Sequence, residues 1–258
     1  MSERPDHYIT KDGSSTLYSN TYNQYFHNPN GSVSESKYVF FETSNVPDAL
    51  VQNEEVTIFE TGFGTGLNFL LLLDYSLSRE CTSKVEFHSV EAFPISADEA
   101  EKLNYASFSD FEELEPVLRN IFTDLKKGMN IIKPLPDVDV TLFLFIGKFE
   151  DFKGEGVQAD FFFHDAFSPE VNEELWTKET FERLKELGKE DSVLSTYCAA
   201  SKARAAMAVT GWKLAKARGA LGKREMTIAS LSENNLADYK RINEERLIER
   251  FNNGDFDR

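Results

Sequence analysis

The pattern of apolar and polar positions changes character along the chain. Residues 16–44 alternate Tyr, Phe and Val with polar residues around Asn28-Pro29-Asn30-Gly31, which predicts a β-hairpin or two short strands joined by a turn. From residue 56 the pattern becomes strand, then glycine turn, then helix: 56–60, 62–66 and a Leu-rich stretch over 67–78. A second unit follows, with a strand over 85–91, a helix opened by Pro94 and a further helical stretch over 111–126. The runs 138–146 and 159–164 are short and continuously apolar, as strands covered on both faces of a parallel sheet are. A helix over 175–187, a strand over 192–197 and a helix over 199–209 ending at Gly211 come next. Strands over 212–216 and 226–231 flank the turn Gly219-Ala220-Leu221-Gly222. Alternating βα units that close on a hairpin predict a doubly wound α/β sheet with an antiparallel edge strand. The expected layout is an N-terminal β extension over 1–50, a main domain over 51–231 and a charged tail over 232–258, either a surface helix or frayed.

Composition narrows the function classes. The 258 residues are 41% hydrophobic, enough for a sizeable core. No run reaches the roughly 18–20 apolar residues of a membrane helix, and the start lacks a signal peptide's apolar core, so a cytoplasmic protein is expected. Two cysteines and four scattered histidines leave neither a disulfide framework nor metal-ligand spacing. The formal charge of -16 argues against non-specific coating of nucleic acid. Yet residues 198–224 hold Lys202, Arg204, Lys213, Lys216, Arg218, Lys223 and Arg224 without one Asp or Glu. Lys202, Arg204, Lys223 and Arg224 are therefore expected to form a local surface for an RNA backbone.

The sharpest motif is Glu60-Thr61-Gly62-Phe63-Gly64-Thr65-Gly66, where a buried strand hands over to a helix. Glycines there allow a tight turn and a close ligand approach, beside the unpaired N–H groups of the helix start. Their spacing is neither that of the dinucleotide fingerprint nor that of a P-loop. An acid two residues ahead of the first glycine suits S-adenosylmethionine, since it can accept a hydrogen bond from the cofactor's ammonium group. Glu91, at the tip of the next strand, is placed to bond ribose hydroxyls, as in nicotinamide sites too. Asp165 closes a buried strand in Asp165-Ala166-Phe167-Ser168-Pro169 and is expected beside the cofactor's reactive end.

These residues resemble a known family. Glu60 to Phe69, Asp165-Ala-Phe-Ser-Pro169 with Glu174-Leu-Trp176-Thr, Thr196-Tyr-Cys-Ala199, Gly222-Lys-Arg-Glu-Met226, Asp12-Gly-Ser-Ser-Thr-Leu-Tyr18 and Phe26-His-Asn-Pro-Asn-Gly31 are similar to the MnmC-type tRNA methyltransferase domain. The resemblance covers residues 12 to about 231. It implies a Rossmann-like fold, S-adenosyl-L-methionine as methyl donor, and conversion of 5-aminomethyl-2-thiouridine to 5-methylaminomethyl-2-thiouridine at the tRNA wobble position. It further implies a stand-alone (MnmD-like) form lacking the flavin oxidase domain, with a separate enzyme supplying the aminomethyl group. Under it, Glu60, Gly62, Gly64, Gly66, Asn68, Glu91 and Gly147 would bind the cofactor, and Asp165 would hold the amine and take up its proton. His27, Glu35, Phe167, Trp176 and Tyr197 would form the base pocket. Where the family has Gly-Asp facing adenine, this chain reads Gly147-Lys148-Phe149-Glu150-Asp151, so Glu150 or Asp151 takes that place or the contact differs. Phe26-His27-Asn28 replaces the family's Tyr-His-Ser, and Asn172-Glu173 its Asn-Pro. Competing readings are an aminopropyltransferase-like enzyme acting on a small amine, a non-catalytic RNA- or cofactor-binding protein, and, weakest, a nicotinamide-dependent oxidoreductase.

Overall fold

The computed structural model describes residues 4–256. Its frame is a nine-stranded mixed sheet. The chain first enters it at β4 (Glu55–Thr61), crosses through α3 (Leu67–Ser78) to β5 (Lys84–Glu91), and then passes α4 (Ala97–Ala100) and α5 (Val117–Thr123) to β6 (Gly128–Ile132) and β7 (Val140–Ile146). It returns to the other side of β4 as β8 (Ala159–His164), followed by α6 (Lys178–Glu186), β9 (Gly188–Thr196), α7 (Ser201–Val209), β10 (Lys213–Arg218), β11 (Glu225–Ser230), β12 (Lys240–Arg241) and α8 (Glu244–Asn252). The strand order is β12-β10-β11-β9-β8-β4-β5-β7-β6. β9, β8, β4, β5 and β7 run parallel, while β6 on one side and β11, β10 and β12 on the other each join the sheet by antiparallel pairing with the preceding neighbour. The predicted doubly wound α/β sheet is therefore present, with antiparallel strands at both edges. β4 is flanked by β5 and β8, reached in opposite directions, so the chain reverses its strand order at β4 and β8. That reversal opens a crevice at the carboxyl ends of the two strands.

Local chemistry explains these elements. Leu67 to Leu73 are all buried, since the first two turns of α3 are enclosed on every side, while Asp74 and Ser78 in its last turns reach the surface. The parallel strands read as apolar runs for the same reason: Phe162 and Phe163, successive on β8, face opposite sides of the sheet and are both fully enclosed.

The N-terminal segment departs from the predicted hairpin. β1 (Asp6–Ile9), β2 (Ser15–Ser19) and β3 (Gln24–Tyr25) form a small antiparallel sheet, but the chain then turns helical through α1 (Ser32–Ser36), a wide π turn (Lys37–Glu42) and α2 (Val46–Gln52). A strand would send Phe40 and Phe41 to opposite faces. In the π turn both pack on Phe163 of β8, with ring centres 5.3 and 5.2 Å away, and Phe41 also stacks on Tyr75 at 5.0 Å.

Pro94 stays outside its helix, which begins instead at Ser96 through a capping box with Glu99. The stretch over 111–126 is split into a 3-10 turn (Glu112–Leu114) and α5, with Pro116 at the junction. The C-terminal residues do form a surface helix: Asn243 caps α8 by accepting from the Arg246 N–H at 2.8 Å, and Leu247 is buried.

Candidate active site

At the reversal point the ends of four strands lie level. Thr61 pairs with Val90 on one side and His164 on the other, and Glu91 pairs with Ile146. The loop leaving β4 therefore meets Asp165 directly, and the Asp165 N–H donates to Thr61 O at 3.1 Å. Gly62 has φ +92°, and a Cβ there would stand 3.1 Å from the Asp165 carbonyl oxygen, so both its conformation and its contact favour glycine. Gly64 and Gly66 also have positive φ, but Gly66 packs against Phe63 and Leu118 away from the cleft.

Three acids converge behind and beside this turn. One Asn68 amide group donates both to Glu60 Oε1, at 2.9 Å, and to Asp165 Oδ2, at 3.0 Å. Ser89 Oγ donates to the other Glu60 oxygen at 2.8 Å. Glu60 is 1% exposed and sits one layer beneath the cleft wall, which Asn68 and Asp165 form. Burial pushes the Glu60 carboxyl up to about 8. Burial, then the charges of Glu60 and Glu35, raises Asp165 well above the ordinary carboxyl range. Glu91 accepts from the Gly64 N–H at 2.9 Å and the Phe93 N–H at 2.7 Å, which fixes it at the cleft edge; its carboxyl is also raised by burial.

The cleft occupies ≈ 1930 Å³, more than the roughly 300–1000 Å³ of a single small-molecule site. There is room for a cofactor and a base together. Gly147 and Glu150 border it and Asp151 does not, so of the two acids left open by the sequence Glu150 has the access, though it also pairs with Lys148 at 3.1 Å. His27, Glu35, Phe167 and Tyr197 are on the wall as expected. Enclosure lowers His27 to about 4, which keeps the ring neutral near pH 7. Glu35 accepts from both the N–H and the side-chain amide of Asn28, each at 3.1 Å, and from Lys223 Nζ at 2.8 Å. The Lys223 ammonium lies 5.1 Å from the centre of the Tyr197 ring, and Tyr197 OH donates to Ala166 O at 2.8 Å.

Several expected site residues are placed elsewhere. Trp176 is 2% exposed and off the wall; its indole N–H donates to Phe167 O at 2.8 Å, so it supports the Asp165 loop from below. Arg204 is no surface cation. It is 5% exposed and donates to Glu225 Oε1 (2.7 Å), Thr227 Oγ1 (2.9 Å) and Met226 O (3.2 Å). Lys202 is paired with Glu173, Lys213 with Glu233 and Lys216 with Glu225. The stretch without acids in sequence is largely neutralised in space by acids from other segments. Arg218 and Arg224 remain exposed with no carboxylate partner among the described residues.

Other wall residues were not foreseen. Tyr22 stacks on Phe167 at 4.8 Å, Phe26 meets the same ring edge-on at 5.0 Å, and Gln24 donates to Ser168 Oγ at 2.6 Å. Together they strap the N-terminal sheet over the Asp165 loop. Phe93, just past Glu91, is 69% exposed at the cleft edge; an aromatic residue following an acidic strand tip was the available signal.

The donor set suits a cationic ligand. Asn68 Oδ1 is buried without a hydrogen-bond partner, next to Asp165 and Glu60. A bound ammonium group satisfies that acceptor, and nearby carboxylates favour a sulfonium. The glycine turn brings no Lys or Arg of its own, as a phosphate-bearing ligand would favour. Asn68, Asp165, Glu91 and Gly62 thus fit S-adenosyl-L-methionine. Among the described residues no His, Cys, Asp and Glu group is arranged to hold a metal ion, and no helix is long and apolar enough to cross a membrane.

Comparison with known proteins agrees with this geometry. Residues 110–232 match a family described as S-adenosyl-L-methionine-dependent methyltransferase. The chain is 32% identical over 86% of its length to the tRNA 5-methylaminomethyl-2-thiouridine biosynthesis bifunctional protein MnmC of Cupriavidus metallidurans, and 31% identical over 87% to that of Leptospira interrogans. It spans 33% and 35% of those proteins, about a third of their length. The crystal structure of MnmC2 from Aquifex aeolicus superposes with a TM-score of 0.71 at 25% identity, covering 95% of this chain and 81% of that one. Nothing among these relatives favours the small-amine transferase or the non-catalytic reading. Residues 110–232 thus match the S-adenosyl-L-methionine-dependent methyltransferases, and the chain is similar over most of its length to the MnmC-type proteins.

Proposed function

We propose that the protein methylates the amine of 5-aminomethyl-2-thiouridine at the wobble position of tRNA. The observation that carries this reading is Asp165: a carboxyl at the reversal point, made more basic by burial and neighbouring acids, on the floor of a cleft walled by aromatic rings. An alkylamine has a reference pKa of about 10.4 and is mostly protonated near neutrality, so it must lose a proton before it can attack. An ordinary carboxylate is a poor acceptor for that proton. Asp165, provided it enters the reaction ionised, is a better one, because its enclosure disfavours the charged form.

When bound, S-adenosyl-L-methionine supplies a methyl group on a sulfonium. Asn68, Glu91, Gly62, Gly64 and Gly147 would hold it, with Glu60 acting through Asn68 and Glu150 near the adenine end. Asp165 orients the aminomethyl group and takes up its proton, while Tyr22, Phe26, Phe167 and Tyr197 exclude water and offer π faces to the base. Alignment in a dry pocket is the main contribution, since charge is dispersed as a sulfonium methylates an amine.

The test is transfer of labelled methyl to tRNA from cells lacking this modification, with nucleoside analysis. The wild type should place label in 5-methylaminomethyl-2-thiouridine, and Asp165→Ala and Asp165→Asn should lose at least about 100-fold in rate while still binding the cofactor. A folded, cofactor-binding wild type that labels no tRNA would overturn the reading.

A further inference from the structure

The hairpin between β10 and β11 carries a feature that methyl transfer does not use. At its tip the Lys223 N–H donates to Ala220 O at 2.9 Å, and the two residues between are both left-handed: Leu221 at φ 48°, ψ 42° and Gly222 at φ +87°. This is a type I′ turn, whose first central position suits Asn, Asp or Gly. A Leu there sets its Cβ against the backbone. Burial does not compensate, because Leu221 is 39% exposed. The other non-glycine residues with positive φ among the described residues, Asn23, Asn45 and Glu80, are polar. Leu221 is thus an apolar side chain held in a disfavoured conformation with over a third of its surface in water, and strain of this kind persists where the surroundings impose it.

The turn's position supplies a use. Ala220 is buried, and Lys223 reaches into the cleft to Glu35 and Tyr197, so Leu221 stands at the rim two residues from the wall. Arg218, the last residue of β10, and Arg224, immediately before β11, are exposed without a carboxylate partner among the described residues and flank the tip. An apolar residue between two free cations, on a chain of formal charge -16, matches a nucleic-acid loop, which presents base planes between phosphates.

We propose that Leu221 is a wedge that enters the base stack of the anticodon loop, with Arg218 and Arg224 on the adjoining phosphates, and so keeps the wobble base turned into the cleft. This rests on the tRNA reading above. A stacked wobble base cannot bring its aminomethyl group to Asp165 at the cleft floor, so the base has to be held out. Leucine fills the gap it leaves.

Leu221→Asn separates the wedge from the turn, since Asn is at home in the left-handed conformation. The wild type and variant are compared by melting temperature, cofactor affinity, methylation of tRNA, and fluorescence of an anticodon stem-loop with 2-aminopurine beside the wobble nucleotide. The variant should melt no lower than wild type and bind cofactor equally. It should lose about tenfold or more in kcat/KM on tRNA and fail to raise the 2-aminopurine signal that wild type raises. Leu221→Met, apolar and of similar size, should restore much of both. Wild-type kcat/KM or an undiminished fluorescence rise in Leu221→Asn overturns the wedge. A wild type that binds cofactor but methylates no tRNA overturns the functional reading as well, and shows it before any variant is compared.

Discussion

At the scale of single residues, the pairing of Glu60 and Asp165 through one Asn68 amide is the feature with the clearest consequence. Two carboxyls that share a buried donor resist being charged together. In the ligand-free protein, Glu60 is raised to about 8, so the native state holds a proton that the unfolded chain releases near the ordinary carboxyl value. Its contribution to stability is complete below about pH 4.5 and is lost as pH rises through about 8. Melting of the ligand-free protein should accordingly move to lower temperature as pH is raised over that window, and Glu60→Gln should flatten the fall. Equal slopes for the two proteins would show that Glu60 is ionised in the native state. A cationic ligand reverses the preference, so cofactor binding near pH 7 should release protons, read by calorimetry in buffers of different ionisation enthalpy.

Among the elements, the glycine turn between β4 and α3 and the loop after β8 act as one unit. Gly62 is wedged against the Asp165 backbone, whereas a Cβ on Gly64, at φ +55°, would meet a Phe26 ring carbon at 3.4 Å, an ordinary contact. Gly62→Ala should therefore cost about 1–3 kcal/mol by urea denaturation and weaken cofactor binding. Gly64→Ala should cost less, because its strain is conformational alone. A reversed order would mean that the Asp165 loop yields easily and does not set the floor of the site. The motif was legible in the sequence because a turn of this kind is a local event: strand, acid, glycines and helix follow within a few residues. The strap of Tyr22, Gln24 and Phe26 was not, since Gln24 and Ser168 stand 144 positions apart and nothing in either segment's periodicity refers to the other.

For the whole molecule, an acidic protein proposed to bind RNA must concentrate its free positive charge. Most cations of the 198–224 stretch are answered by acids brought in from elsewhere, which leaves Arg218 and Arg224 at the hairpin beside the cleft. Replacing each by Ala should weaken tRNA binding and lower the magnitude of the slope of log K against log salt by about 0.7–0.9. Lys202→Ala, at a site already paired with Glu173, should leave the slope unchanged. Arg204→Ala should instead destabilise the fold by about 3 kcal/mol, since it empties a buried hydrogen-bonded ion pair. If Arg204→Ala alters the salt slope in a fully folded protein, the assignment of that residue to the interior is wrong.

Neighbours along the chain dictate the parallel core strands, the Leu-rich α3, the glycine turn, and the acids at strand tips. Apolar periodicity and turn chemistry are short-range, and in a doubly wound sheet a strand's end already says which edge its residues reach. Folding alone settled what depends on partners far apart. It turned residues 32–52 helical because Phe40 and Phe41 both pack on Phe163, placed Glu60 behind Asn68, and moved Trp176 beneath the loop it was expected to line. It also divided one run of cations into buried, paired and free. Charge in a sequence is only a count, and its effect is set by the burial and counter-charges that folding assembles around each group.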